Sequence, residues 1–434
     1  MKEVIEIKID RIVPEGKGVG LYEGKPVYVL GAFPGEIVKV EIYKSKKDFF
    51  EGRLVEIIEN NPNRIEPHED HYMSCSPWQS INYKYQIELK KEILLKCFKS
   101  LAATEVNLEK FYKSKNVFNY RNKLEFSFTE DEDKKIFLAF HARGSHRNFV
   151  KLQRGCQLGQ EKINEVSLQI LNLINRGGLE KFDLKSLVVR QSNFEGKVIS
   201  LLLLKNEKER VEKFLEFLKK EQSFPQNLTV ALSDYRSPLP KIDKVLFKKG
   251  DDFLIEKIGE NKFKYYFDSF FQNNIDLFDK SITLIRKFLI QSSKVLELYS
   301  GVGSIGISIA SKVKQIEAVE IIESAVKAAG ENAKSNNIIN FKSLLLPAEK
   351  IQKELLDQKD VLIIDPPRTG LHPKITEMIL EKPPQQIIYL SCNSITQASD
   401  YNKLKDIYKI EHLSGFDFYP NTPHMESLVI LRKK

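Results

Sequence analysis

The stretch Val295-Leu296-Glu297-Leu298-Tyr299-Ser300-Gly301-Val302-Gly303-Ser304-Ile305-Gly306 decides the fold. The apolar run Val295–Leu298 predicts a short buried strand, the glycines a tight turn, and the residues from Ile305 a helix. The turn fits G-x-G-x-x-G, in which glycines let the backbone come close to a ligand at a helix N-terminus. The pattern then recurs. Ile316–Glu320 predicts a second strand, followed by a helix through Ala325, Ala328, Ala329 and Ala333. Val361–Ile364 and Ile387–Leu390 predict a third and a fourth strand, and Ser427–Leu431 a last one. Apolar strands alternating with helices predict an α/β domain with a parallel, doubly wound sheet, whose ligands bind beyond the carboxyl ends of the strands. Glu320, closing the second strand, is placed to accept hydrogen bonds from ribose hydroxyls. Turn and acid together fit a nicotinamide cofactor and S-adenosylmethionine equally well, and a plain strand–helix turn is the bland alternative.

Upstream of residue 266 the patterns differ. With 434 residues, two or three domains are expected at about 150 residues each. Residues 1–60 read as short strands: Ile5, Ile7 and Ile9 alternate with charged residues, as do Val38, Val40 and Ile42, with glycines between. So few short strands suit a small OB-like β-barrel, a common nucleic-acid-binding scaffold. Lys44, Lys46 and Lys47 beside Phe49 and Phe50 read first as a solvated turn next to core aromatics. The segment Asn60-Asn61-Pro62-Asn63 breaks the chain. Residues 61–265 mix a helix over Tyr85–Phe98 with strands over Lys123–Phe128, Leu187–Arg190 and Val198–Leu204, as expected of a central α+β domain that positions a substrate. Residues 266–434 form the Rossmann-like domain.

Composition bounds the chemistry. Hydrophobic residues at 42% and charged residues at 29% exclude a collagen-like, coiled-coil or wholly disordered chain. The excess of 68 Lys and Arg over 59 Asp and Glu, a charge of +9, permits an anionic polymer as partner. The N-terminus has no unbroken apolar core, and no apolar run is long enough for a bilayer, so a cytoplasmic protein with no membrane partner is expected. The four cysteines, Cys75, Cys97, Cys156 and Cys392, form no C-x-x-C pair, which excludes a disulfide scaffold and a four-thiolate zinc ribbon.

Three strand ends carry the chemistry. Asp365-Pro366-Pro367-Arg368 follows the third strand, and two prolines fix an extended backbone that presents Asp365 over the crevice. A methyltransferase acting on a planar nitrogenous ring has a use for such a group, whereas a dehydrogenase has none that is evident. Leu390-Ser391-Cys392-Asn393 ends the fourth strand and puts a thiol at the crevice, while Cys97, inside the amphipathic helix, reads as core. Phe418-Tyr419-Pro420-Asn421-Thr422-Pro423-His424-Met425-Glu426 precedes the last strand. If that strand runs antiparallel to the others, its beginning is expected to meet the same edge as Cys392 and Asp365, with Glu426 pointing into the same crevice. His424 is as readily structural as catalytic.

Together Phe271-Gln272-Asn273, Leu298–Gly303, Asp365–Arg368, Ser391-Cys392-Asn393 and Thr422–Glu426, with Tyr120-Arg121-Asn122-Lys123, resemble the RNA uracil-5-methyltransferases. The N-terminal barrel resembles the TRAM domain of the ribosomal RNA branch of that family. The resemblance covers essentially the whole chain. It implies a class I methyltransferase that makes 5-methyluridine with S-adenosylmethionine, with Cys392 as nucleophile and Glu426 as general base. It places Gln272, Tyr299, Glu320 and Asp365 around S-adenosylmethionine, with Asp365 also a candidate contact to the uracil. Ribosomal RNA of the large subunit is the expected partner, transfer RNA the alternative, and a monomer is expected. Many relatives hold an iron–sulfur cluster on four cysteines. Here only Cys75 and Cys156 stand at such positions, too few for a cluster. The cluster is therefore expected to be absent, with His68 and His71 not expected to replace it and no metal site assigned. Ser300 and Ser399 also depart from the family pattern without removing a catalytic group. Two other classes stay open: a nicotinamide-dependent oxidoreductase, which leaves Cys392, Asp365 and Glu426 unexplained, and an RNA-binding protein without activity.

Overall fold

The computed structural model describes residues 3–145, 147–223, 225–234, 236 and 241–434. Met1 and Lys2, with which the expected barrel begins, lie outside them. The chain forms two compact units. One holds the residues up to Val117 with Pro366–Thr376 and Tyr389–Lys434; the other holds Phe118–Asp365 with Glu377–Ile388.

In the first unit the N-terminal strands form a six-stranded sheet. In spatial order these are Val4–Lys8, Ile37–Ser45, Phe50–Glu59, Lys25–Leu30, Lys17–Tyr22 and Arg11–Ile12. The two outermost strands are consecutive in the chain, joined by Ile9 and Asp10. Ile9 N donates to Glu36 O and Asp10 N to Val19 O, so one continuous stretch pairs on both sides and curls the sheet shut. The expected OB-like barrel is thus present. Its core is the alternating apolar set Ile5, Ile7, Ile9, Val27, Val29, Val38 and Val40, with Phe50. Glu36, fully buried at the barrel's edge, is neutralised by Arg64, whose Nε and Nη2 reach its two carboxylate oxygens at 2.7 and 2.9 Å. Lys44 pairs with Glu51, as a solvated turn would.

The same unit contains the helix Tyr83–Leu101, capped by Asn82, whose side chain accepts from Tyr85 N. Its buried face, with Ile87, Ile93, Leu94 and Cys97, packs on the helix Ser394–Leu404. Cys97 is core, as expected, and burial pushes its thiol pKa up. The last strand, Glu426–Lys433, pairs antiparallel with Tyr408–Phe416, which pairs parallel with Lys110–Tyr112.

The second unit carries two larger sheets. Its mixed sheet runs, in order, Phe149–Lys151, Ile136–His141, Lys123–Glu130, Leu184–Gln191, Val198–Leu204, Leu228–Leu232 and Lys244–Lys249. Its parallel strands follow the order Phe341–Leu345, Gln315–Glu320, Lys294–Leu298, Val361–Ile364. Numbered along the chain this is 3-2-1-4, the Rossmann-like order, whose switch point lies between Lys294–Leu298 and Val361–Ile364. A hairpin, Phe253–Ile258 with Asn261–Tyr266, leads into this domain. Among the described residues no helix is long and apolar enough to cross a membrane.

Candidate active site

Register fixes the crevice of the second unit. Leu298 pairs with Val319 on one side and Ile364 on the other, so Tyr299, Glu320 and Asp365 all stand one residue past the paired ends. Tyr299, Gly301 and Gly303 have φ of 62, 54 and 79°, the left-handed region, which is strained for the tyrosine and free for the glycines. A Cβ on Gly306 would lie 2.3 Å from Glu297 Oε2, so glycine is required where the new helix packs on the strand. Glu320 is fixed by three backbone donors: Gly301 N to Oε2 at 2.9 Å, and Ile321 N and Ile322 N to Oε1 at 2.8 and 2.9 Å. A carboxylate has about four acceptor positions, which leaves room for one hydroxyl. Gln272, 4% exposed, donates from Nε2 to Asp365 Oδ2 at 3.3 Å. Burial pushes Asp365 up to about 7.

These residues fit S-adenosylmethionine. Glu320 and Asp365 bring two carboxyl groups to the crevice, whereas Glu297, fully buried one residue before the strand's end, accepts from Gly306 N at 3.0 Å; burial pushes Glu297 up to about 8, with the charges of Asp365 and Glu320 adding to the rise. Among the described residues, Gln272 Oε1 and Ser300 Oγ are buried without a hydrogen-bond partner, as polar atoms that await a ligand would be.

Two residues of the central region, whose roles the sequence did not reveal, hold this crevice. Asn122 Nδ2 donates to Gln272 O at 2.9 Å. Arg190, 2% exposed, donates from Nη1 to Tyr266 O and Ser269 O at 2.9 and 2.8 Å and lies over the Tyr265 ring. Tyr265 in turn stacks on Phe271 at 4.4 Å. The one available signal for Arg190 was a cation closing an otherwise apolar strand.

Glu297 yields a pH prediction. Its folded-state pKa, about 8, lies above the ordinary 4.5, so the native state keeps a proton that the unfolded chain releases. The resulting stability is complete below pH 4.5 and lost as pH rises to about 8. Glu297→Gln mimics the protonated acid and still accepts from Gly306 N. Its melting temperature is expected to match the parent's near pH 4.5 and exceed it at pH 9, where the variant's stability is greater by at most about 5 kcal/mol. Melts at both pH values check this, and a pH-independent difference would contradict it.

The nucleophile candidate lies in the first unit. Cys392, half-buried, follows the strand Gln386–Ser391, with Asn393 between it and the helix Ser394–Leu404. Asn393 caps that helix by accepting from Ile395 N, and its Nδ2 donates to Arg368 O at 2.7 Å. The positive end of the helix dipole favours an anionic sulfur. Cys392 lines a cleft of about 180 Å³ with Pro14, Glu15, Arg368, Pro423, His424 and Met425. Pro14 and Glu15 come from the N-terminal barrel, a contribution the sequence did not announce. Glu426 is the next residue along, 3% exposed, and its Oε1 accepts from Tyr419 OH at 3.2 Å. Ser427 Oγ donates to Ser391 O at 3.4 Å, so the start of the last strand lies against the end of the strand that carries Cys392. His424 lines the cleft and meets the Tyr419 ring edge-on.

Cys75 lies in the first unit with Glu69 and His71, their ligand-type atoms within 4.8 Å of one another. Burial pulls the His71 imidazole down, but the Cys75 thiol and Glu69 carboxylate outweigh it and hold it at about 9. Cys156 is buried in the second unit, where Asn164 bonds its backbone N–H and carbonyl.

A 3-2-1-4 parallel sheet with carboxyl groups behind a glycine turn, preceded by a closed OB-like barrel, is the architecture of a domain that binds a nucleoside-bearing cofactor joined to a nucleic-acid-binding module. Residues 82–434 match the model of the family described as tRNA (uracil-5-)-methyltransferase, and residues 2–55 match the TRAM domain. The chain belongs to that methyltransferase family, as the sequence motifs led one to expect. Among its relatives are two uncharacterised RNA methyltransferases. One, from Clostridium tetani, is 31% identical over 99% of this chain and 97% of its own. The other, from Caldanaerobacter subterraneus, is 30% identical over 99% of both. The tRNA (uracil-54, C5)-methyltransferase of Pyrococcus abyssi, solved with S-adenosyl-L-homocysteine, shares the fold with a TM-score of 0.77 at 21% identity. That match covers 98% of this chain and all of the other.

Proposed function

We propose that this chain methylates carbon 5 of a uridine in RNA through a covalent bond between Cys392 and the uracil ring. The observation that carries the reading is the placement, within one unit, of a thiol lining a cleft beside a buried carboxylate that opens the adjoining strand. Carbon 5 of uracil is a poor nucleophile. When the Cys392 thiolate adds to carbon 6, a sulfur–carbon bond forms and the ring's π electrons move onto the carbon 4 carbonyl as an enolate. Carbon 5 can then attack an electrophilic methyl group. S-adenosylmethionine, when bound, supplies that methyl on a cationic sulfur, and Gln272, Tyr299, Glu320 and Asp365 would hold it. Carbon 5 now carries both methyl and hydrogen. Glu426 takes the proton, the C–H electron pair restores the ring double bond, and Cys392 leaves as thiolate. The uridine must leave its stack to reach the cleft, at a cost of a few kcal/mol that RNA contacts elsewhere offset.

For the substrate we favour large-subunit ribosomal RNA, on the strength of the N-terminal barrel. Transfer RNA is the second reading, favoured by the matched family description and the Pyrococcus abyssi protein, which both name it. The proposal places the protein in the cytoplasm as a monomer and gives no role to an iron–sulfur cluster, since two thiolates fall short of the four it needs. Incubation with methyl-labelled S-adenosylmethionine and separate pools of unmodified ribosomal and transfer RNA tests it. Label in 5-methyluridine of the ribosomal pool is the expected result. Label only in the transfer RNA pool would move the substrate, and label in neither would sink the activity.

A further inference from the structure

We infer that Tyr419 is a positioning residue for Glu426, and that the helix Tyr83–Leu101 sets its place through Gln86 and Lys90. The inference rests on the reading of Glu426 as the general base. A carboxylate 3% exposed is costly to hold as an anion, and only the anion can take the proton from carbon 5. A hydroxyl that donates to it, as Tyr419 OH does to Oε1 at 3.2 Å, stabilises the charged form and fixes the carboxylate's rotation.

Tyr419 is itself held from both sides. Lys90, fully buried, donates from Nζ to Asp417 Oδ1 at 2.5 Å and to Tyr419 O at 3.1 Å. Two residues beyond Tyr419, Asn421 has φ of 62°, which asparagine tolerates but which needs support. Gln86 supplies it twice, accepting from Asn421 N and donating to Asn421 Oδ1, both at 2.9 Å. Trp78 N donates to Asn421 O at 3.1 Å, and Asn421 Nδ2 to Val117 O at 2.8 Å. Asp417 and Asn421 are therefore pinned to one rigid helix, and Pro420 stiffens the backbone between them. A buried lysine on the face shared by Ile87, Ile93 and Leu94 has no packing advantage over leucine. Its cost is explained if it orients the loop that presents the base.

Tyr419→Phe keeps the ring and removes only the hydroxyl, so it is the variant of choice. In single-turnover experiments with unmodified RNA, formation of the methylated protein–RNA adduct should proceed at the parent rate, and S-adenosyl-L-homocysteine should bind as before. Breakdown of the adduct should slow about 10- to 100-fold, and its pH dependence should move up by about one unit. Parent-like breakdown with an unmoved pH profile would overturn the inference, as would equal losses in both phases and in ligand binding. Glu426→Gln run alongside separates the two levels. If it too releases product at the parent rate, the assignment of the base fails; if it stalls while Tyr419→Phe does not, only the role of Tyr419 fails.

Discussion

Cys392→Ala is expected to lower methyl transfer by at least about 10⁴-fold, because no other described residue lining the cleft carries a thiol that could add to carbon 6 and make carbon 5 nucleophilic. Glu15, Ser394 and His424, which line the cleft, and Glu426 beside it are weaker nucleophiles toward a ring carbon than a thiolate is. The sulfur's position at a strand end, ahead of a capped helix of 11 residues, exposes it to the cleft rather than to the core. Removing one sulfur from a half-buried site leaves the fold alone, so binding of S-adenosyl-L-homocysteine should stay within about twofold. Cys392→Ser should be as inactive, since a serine hydroxyl holds its proton at neutral pH. Initial rates with labelled methyl donor check both variants. Activity above a hundredth of the parent's would mean that the reaction proceeds without this thiol.

Glu426→Gln should behave in the opposite way at the protein–RNA bond. Addition of Cys392 and methylation of carbon 5 precede proton removal, so this variant should complete both and then stall. Glutamine is isosteric, accepts from Tyr419 OH and cannot take a proton. Product release should fall by about 10²- to 10⁴-fold, the range for loss of a general base, while a complex resistant to denaturation accumulates. Gel electrophoresis under denaturing conditions with labelled methyl donor reads this directly. Slow turnover without an adduct would place Glu426 before the covalent step.

The contrast between these sites and their supports shows what the sequence carried. The strands Val361–Ile364 and Val198–Leu204 were legible to the residue, because both faces are buried and the apolar run has no other explanation. Gly301, Gly303, Glu320 and Asp365 were legible because they cluster at strand ends. Phe341–Leu345 went unread: an edge strand buried on neither face has no periodic signal. Tyr408–Phe416 went unread because its second half is buried throughout while its first half is half-exposed. The hairpin over Phe253–Tyr266 does alternate, but it was absorbed into the central region. The supports of the site were hidden for a different reason. Arg190 acts on backbone carbonyls some eighty positions downstream, and Gln86 and Lys90 on a loop more than three hundred positions away. Sequence patterns report the faces of local elements, and such long-range polar contacts leave no periodic trace. Lys90 left one clue, a charge in the apolar series of its helix, which points to a buried partner without naming it.

RNA containing 5-fluorouridine tests the covalent bond between Cys392 and carbon 6 most directly. Fluorine cannot leave carbon 5 as a cation, so Glu426 has no proton to remove and the methylated adduct cannot resolve. With S-adenosylmethionine present, the parent protein should form a one-to-one complex that survives denaturation, and peptide mapping should find the modified nucleotide on Cys392. Methyl transfer to uridine with no such complex on the fluorinated RNA, or a complex mapped to another residue, would contradict the account.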